Sequence, residues 1–196
     1  MRPYNRATLA QERKVYEERG AHPHLLQYKG SLEIGEFDFG LILEKAERGC
    51  LRQLMKKFKR ETITDHTRWL WACAIASTIH YILTKGFLHC DISTRNILLT
   101  EEWEVKLSDF GSSAAIGEVG LGCEEGRCRV PSRGRPRDAL PTVKSNLFAF
   151  GTVLYEIMAW QLPFADVDTS TVETRFEAEE FPDTTGILAG DIIDKC

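Results

Sequence analysis

The sequence predicts an α+β fold dominated by helices, and three observations carry that expectation. Two dense apolar segments, Thr67 to Lys85 and Ser145 to Trp160, have the length and pattern of buried helices. Short β-type apolar runs lie before and between them, at Leu25 to Gly30, Phe39 to Ala46, Ile97 to Leu99 and Val105 to Leu107. A chain of 196 residues with 43% hydrophobic and 28% charged content suffices for one well-buried domain of ordinary globular composition.

Taken in order, Thr8 to Arg19 reads as a short helix stopped by Gly20. His22-Pro23 ends helical options, and the runs Leu25 to Gly30 and Phe39 to Ala46 form two antiparallel strands about a turn at Gly35. Leu51 to Arg60 places Leu51, Leu54, Met55 and Phe58 on one helical face with its basic residues opposite. Thr67 to Lys85, with Leu70, Ala74, Ile75, Ile79 and Ile82, is a largely buried helix closed by Gly86. Between Gly111 and Thr142 the chain is rich in Gly, Arg and Pro, which predicts a long surface loop. After the helix at Ser145 to Trp160 the sequence is acidic and irregular from Thr169, until a last helix begins at Ile187 to Ile193.

Several classes are disfavoured. A net charge of -4 offers no basic face to hold a phosphate backbone, so nucleic acid is not an expected partner. The longest apolar stretch, Trp69 to Leu83, is too short to span a bilayer, and Met1 to Lys14 contains no secretory segment. The expected setting is therefore cytoplasm or nucleus, without a membrane. The six cysteines have no Cys-x-x-Cys pairing, which speaks against zinc or a disulfide framework and for reduced thiols. Cys123 and Cys128, in one loop, are the single candidate redox pair.

The chemistry is concentrated in His89-Cys90-Asp91-Ile92-Ser93-Thr94-Arg95-Asn96-Ile97-Leu98-Leu99, followed by Lys106-Leu107-Ser108-Asp109-Phe110-Gly111. Phosphoryl transfer needs a carboxylate to orient a hydroxyl, oxygen ligands for magnesium, and positive charge near the transferred group. Asp91, Asn96, Asp109 and Arg95 can supply these. The two segments resemble the H-x-D-x-x-x-x-N catalytic loop and the D-F-G motif of eukaryotic-type protein kinases.

That resemblance implies a two-lobe kinase fold with a reduced N-lobe (1–46, with the hinge) and a mainly helical C-lobe (47–196), binding ATP and Mg2+ and acting on a protein hydroxyl. It implies that Asp91 orients the acceptor hydroxyl, that Asn96 and Asp109 ligate the metal, and that Arg95 sits near the γ-phosphate. Glu12, with Val15 and Tyr16 on the next turn, looks like the helix glutamate that pairs with the ATP-site lysine, an exposed helical glutamate being the alternative. Leu41 to Ala46 looks like the hinge strand, with Leu43 as gatekeeper and the Glu44 to Ala46 backbone facing adenine; an ordinary core strand would read the same. Leu98 matches the residue beneath the adenine ring. Thr142 to Gly151 and Tyr155 to Phe164 resemble the two ends of the central C-lobe helix.

The pattern is also broken in places. Only eleven residues, none of them lysine, precede Glu12, so neither a Gly-rich loop nor the lysine is present in the sequence. Cys90 stands where an arginine is usual, and Asn146 where an aspartate usually holds the catalytic-loop backbone. Ser93 and Arg95 mix features of serine/threonine and tyrosine kinases, leaving the acceptor open. Ala-Pro-Glu is absent, its nearest candidate being Arg135 to Asp138, and the last C-lobe helices are missing, which should uncover apolar surface near Ile192 and Ile193. Three readings follow: an active protein kinase, a kinase-fold binding module without turnover (a pseudokinase), or a fragment of a longer active kinase. Oligomeric state is not legible.

Overall fold

A computed structural model describes residues 6–34, 38–121, 124–134, 136 and 139–196. Helix α1 (Arg6–Arg19) leads into strands β1 (Tyr28–Ile34) and β2 (Asp38–Leu43). Then come β3 (Gly49–Cys50), α2 (Leu51–Lys57), a 3-10 turn (Arg60–Thr62) and α3 (Asp65–Thr84). Short strands β4 (Phe87–Leu88), β5 (Ile97–Leu99), β6 (Val105–Leu107) and β7 (Ala114–Ala115) follow, with a 3-10 turn at Gly126–Cys128. Helices α4 (Val143–Ala159), α5 (Thr169–Glu177) and α6 (Gly190–Ile193) complete the chain.

The helix ends are set by local chemistry. Thr64 caps α3 by accepting the Thr67 amide at 3.1 Å, which starts that helix slightly earlier than expected. Thr142 and Ser145 form a reciprocal capping box at the start of α4, each side chain accepting the other's backbone N–H at 3.1 Å. Gly20 and Gly86, at φ 76° and 81°, close α1 and α3 where a side chain would be strained.

β1 and β2 form one antiparallel hairpin, β3-β5-β6 a three-stranded sheet, and β4-β7 a two-stranded one. A parallel bridge between Leu25 and Leu107 joins the loop after α1 to β6, with Leu26 N–H donating to Leu107 O at 2.9 Å and Leu107 N–H to His24 O at 2.8 Å. The two halves therefore share one core running from Val15 and Tyr16 on α1 through Ile75 and Ile82 on α3 to Val153 and Ile157 on α4. This is an α+β kinase-like architecture. No helix among the described residues is long and apolar enough to cross a membrane.

Several expectations need correction. Leu25 to Gly30 is not a strand as a whole, because Leu25 is held by the bridge to β6 and regular pairing begins at Tyr28. The second strand ends at Leu43, short of Ala46, and α2 ends at Lys57, where Phe58 turns extended. On α3, Ile75, Ile79 and Ile82 are buried, but Leu70 is 53% exposed, so the helix is buried on one side only. The 111–142 segment is not all loop, since Ala114–Ala115 pair with β4 and Gly126–Cys128 form a turn. α5 was hidden in the acidic stretch; Asp168 caps it, and Val172 and Phe176 are its buried residues. Ile192 is exposed, whereas Ile193 packs on the core. Gly35, Cys123, Arg135, Arg137 and Asp138 lie outside the described residues; Cys128 is buried.

Candidate active site

Strand register brings the two motifs together. β5 pairs with β6 so that Ile97 faces Leu107, which sets Asn96 beside Ser108 and one residue from Asp109. Ser108 donates to the Asn96 carbonyl through both its N–H and its hydroxyl, each at 2.9 Å. The Asn96 side-chain NH2 donates to the Asp91 carbonyl at 2.8 Å and to Asp91 Oδ2 at 3.1 Å. Both amide hydrogens are thus directed at Asp91, leaving the Asn96 Oδ1 as the group available to a cation.

The loop is fixed from behind by His89. Its Nδ1 accepts the Asp91 N–H at 3.3 Å, so its Nε2, 3.0 Å from the Ser108 carbonyl, carries the proton. Burial pushes the His89 pKa well down, in keeping with this neutral tautomer. The Cys90 N–H donates to Asn146 Oδ1 at 3.2 Å, so the asparagine on α4 does hold the loop backbone. Cys90 and Asp109 both adopt positive φ, 62° and 63°, a conformation uncommon outside glycine that brackets the site with backbone strain.

Burial raises the Asp91 pKa to about 6, with Asp109 and Glu125 adding to the effect and Arg95 and Asn96 opposing it. The Arg95 guanidinium lies 3.6 Å from Asp91 Oδ1 and 3.0 Å from Glu125 Oε2. Glu125 in turn binds Arg52 of α2 at 2.9 Å, and Arg52 also reaches Glu156 of α4 at 3.1 Å and the Thr94 hydroxyl at 2.6 Å. Thr94 closes the ring by donating to Glu156 at 2.5 Å. Sequence reasoning missed this network. The helical pattern puts Arg52 with the basic residues opposite the apolar face, yet its side chain is only 11% exposed, and Glu125 lies in a stretch with no periodicity to reveal it.

The opposite wall is α1. Glu12 is 3% exposed, not an exposed helical glutamate, and one of its oxygens accepts the Phe110 N–H at 3.4 Å. Burial raises its pKa to about 7, and repulsion from Asp109 adds to the rise. Among the described residues no lysine or arginine forms an ion pair with it. Gln11 donates to the Ser113 carbonyl at 2.8 Å, tying the same helix to the stretch after Gly111.

The remaining residues lie along the cleft entrance. Leu43 ends β2 opposite Tyr28, and the Glu44 N–H donates to Gln27 O at 2.8 Å. The Glu44 side chain is also engaged, accepting the Gln27 N–H at 3.1 Å, so Glu44 has its carbonyl to offer a ligand. The Ala46 carbonyl accepts the Gly49 N–H at 3.3 Å. Leu98 is half-buried between the fully buried Ile97 and Leu99, the pattern of a strand residue facing an open cleft.

No group of three or more His, Cys, Asp or Glu side chains among the described residues could hold a metal by itself. Asn96 and Asp109 supply two hard oxygen donors beside an anionic cluster that includes Asp91 and Glu12. That fits magnesium, which binds through one or two carboxylates with phosphates and waters completing its shell.

A family model for protein tyrosine and serine/threonine kinases matches residues 2–188. The chain belongs to this protein kinase family. It is 36% identical over 116 residues to mitogen-activated protein kinase kinase kinase 20 of Arabidopsis thaliana, covering 58% of this chain and 34% of that protein. It is 30% identical over 156 residues to human tyrosine-protein kinase ABL2, covering 77% of this chain and 13% of the relative. It is also 27% identical over 169 residues to cell division control protein 7 of Schizosaccharomyces pombe, covering 82% of this chain and 15% of the relative. The chain therefore spans about a third or less of the length of these relatives.

Proposed function

We propose that this chain forms the catalytic part of a protein kinase that transfers the γ-phosphate of ATP to a protein hydroxyl. The observation that carries the reading is the convergence of Asp91, Asn96 and Asp109, with Asn96 oriented by Asp91 and placed by strand register next to Asp109. Asp91 orients the acceptor hydroxyl and takes up its proton, a task suited to a carboxylate held near neutrality by burial. Asn96 Oδ1 and the Asp109 carboxylate would hold magnesium, which when bound would neutralise phosphate charge. Arg95 supplies positive charge beside Asp91. Leu43, the Glu44 to Ala46 backbone and Leu98 form the adenine surface.

A groove of about 920 Å³ begins at Cys90, next to Asp91, and runs between Gly120, Pro131, Leu140 and Phe176, where a protein substrate can lie. We further propose that 1–46 serves as the small lobe and hinge and 47–196 as the large lobe of one kinase domain, working in cytoplasm or nucleus.

One observation favours a second reading, a kinase-fold binding module without turnover. Glu12 is buried without an ion pair among the described residues, and the cation near it, Arg19, is itself buried against aromatic rings rather than open to the α- and β-phosphates. Thermal shift with ATP alone and with ATP plus magnesium, on this chain and on Asp109→Ala, separates the two. A magnesium-dependent stabilisation of about 2.7 kcal/mol at a hundredfold excess over Kd, lost in Asp109→Ala, supports the metal site. Phosphate incorporation should then fall at least about a hundredfold in Asp91→Asn. Folded protein with no shift in either condition favours the binding module.

A further inference from the structure

Arg19, the last residue of α1, is 2% exposed, and no carboxylate among the described residues forms an ion pair with it. Its Nε has no hydrogen-bond partner, and its Nη1 reaches its own neighbour's carbonyl, that of Gly20, at 3.4 Å. What encloses the guanidinium is aromatic. Its central carbon lies 4.4 Å from the Tyr16 ring centroid and 4.4 Å from that of Phe110. The Tyr81 hydroxyl pins the Arg19 carbonyl at 2.5 Å, fixing the helix end from the α3 side.

We propose that Arg19 is a positioning residue for Asp109-Phe110-Gly111: its guanidinium, clamped between the Tyr16 and Phe110 rings, holds Phe110 against His89 and so fixes where the Asp109 carboxylate points. Phe110 is fully buried, with Tyr16 edge-on at 5.3 Å, His89 at 4.8 Å and its N–H on Glu12. Those contacts could be made around an apolar residue at position 19 as well. A buried cation adds attraction to the face of each ring, strongest where water is excluded. Asp109 holds a positive φ immediately before Phe110, and the packing of the Phe110 ring helps to keep that strained backbone in place.

The charged and titratable groups around the guanidinium are Glu12 and the hydrogen-bonding Tyr16 hydroxyl from its own helix, His22 from the segment that follows, His89 from the catalytic loop and the Tyr81 hydroxyl from α3. Burial lowers the Arg19 pKa to about 10, which leaves it a cation at neutral pH. Replacing a buried charge that lacks a close counter-ion with an apolar group is often neutral or stabilising overall, so the charge is expected to act locally, on Phe110. The consequence for a metal rests on reading Asp109 as its ligand; the positioning does not.

Amide hydrogen exchange on the full chain tests this without nucleotide. Arg19→Met should speed exchange across residues 108–113 about tenfold, leave the thermal midpoint unchanged or higher, and be largely reversed in Arg19→Lys, whose ammonium still meets a ring face. Wild-type exchange rates in Arg19→Met, or no difference between Met and Lys, would overturn the proposal and leave Arg19 a packing residue. The unmodified chain provides a check that survives if a variant does not fold. The Arg19 Nε–H resonance should be displaced upfield by the two rings, and a resonance at the position of a free arginine sinks the idea. Loss of ATP binding by the unmodified chain would bear on the kinase reading and leave these two readouts standing.

Discussion

The two walls of the cleft both bury charge, and they treat it differently. On the α4 wall, Glu156 is fully buried but meets Arg52 and the Thr94 hydroxyl, and Arg52 and Arg95 both meet Glu125. On the α1 wall, Glu12 and Arg19 are nearly as deeply buried, without an ion pair for either among the described residues, and lean on a backbone N–H and on aromatic rings. The first wall meets its buried carboxylate with an ion pair and a hydroxyl, which hold the catalytic loop in place although burial still raises the Glu156 pKa to about 7. The second has a carboxylate that no ion pair meets among the described residues, and burial with repulsion from Asp109 raises its pKa to about 7.

The sharpest way to break this contrast is at Arg52. Arg52→Met should destabilise the fold by about 3 to 5 kcal/mol in urea denaturation, because it strands Glu156 without a counter-charge at zero exposure. Adding Glu156→Gln should recover a large part of that loss, since the amide still accepts from Thr94 and no longer needs a cation. A single-variant cost below about 1 kcal/mol would mean that the α4 wall is no better compensated than the α1 wall.

The α1 wall makes a prediction of opposite sign. Glu12 has a folded pKa raised to about 7 against 4.5 for a free glutamate, so the folded state holds the proton more tightly than the unfolded one. Its contribution to stability is therefore unfavourable at high pH: absent below about 4.5, it grows as the pH rises and is complete above about 7. Glu12→Gln removes that dependence. The stability of the variant relative to the unmodified chain should rise by on the order of 3 kcal/mol between pH 4.5 and 8. The difference between the two proteins is the quantity to measure, because His89, whose pKa burial lowers, contributes a slope of the other sign below its ordinary value. A flat difference would show Glu12 to be compensated after all.

The part of this site that the sequence revealed is the part whose residues are neighbours in the chain. Asp91, Arg95 and Asn96 sit within one loop and Asp109 one short hairpin later, so fixed spacing betrays them, and β5-β6 register turns that spacing into contact. Helices α3 and α4 were legible because each is long and dense in apolar residues. The α4 wall was not, because Arg52, Glu125 and Glu156 come from three separate elements and each alone is an ordinary charged residue. Arg19 was invisible for a sharper reason. An arginine at a helix C-terminus is what the helix dipole favours in solvent, so nothing in the sequence distinguishes it from one buried on two rings. α5 escaped through composition, since nine residues with two buried ones carry too weak a pattern against an acidic background.

The finest test lies at Asn146, on the α4 wall, where the family pattern has an aspartate. The residue is 1% exposed and its side-chain oxygen is the acceptor for the Cys90 N–H, so Asn146→Ala leaves a buried donor unmet and should cost about 1 to 3 kcal/mol. Asn146→Asp keeps the acceptor and makes the bond charge-assisted, a gain of about 1 kcal/mol, while placing a new carboxylate beside no described cation. The two terms oppose each other, and the net change in unfolding free energy should stay within about 1 kcal/mol near neutral pH. If Asn146→Asp were instead strongly stabilising, a donor beyond the Cys90 N–H must reach this position, and the wall would be more polar than its described contacts make it.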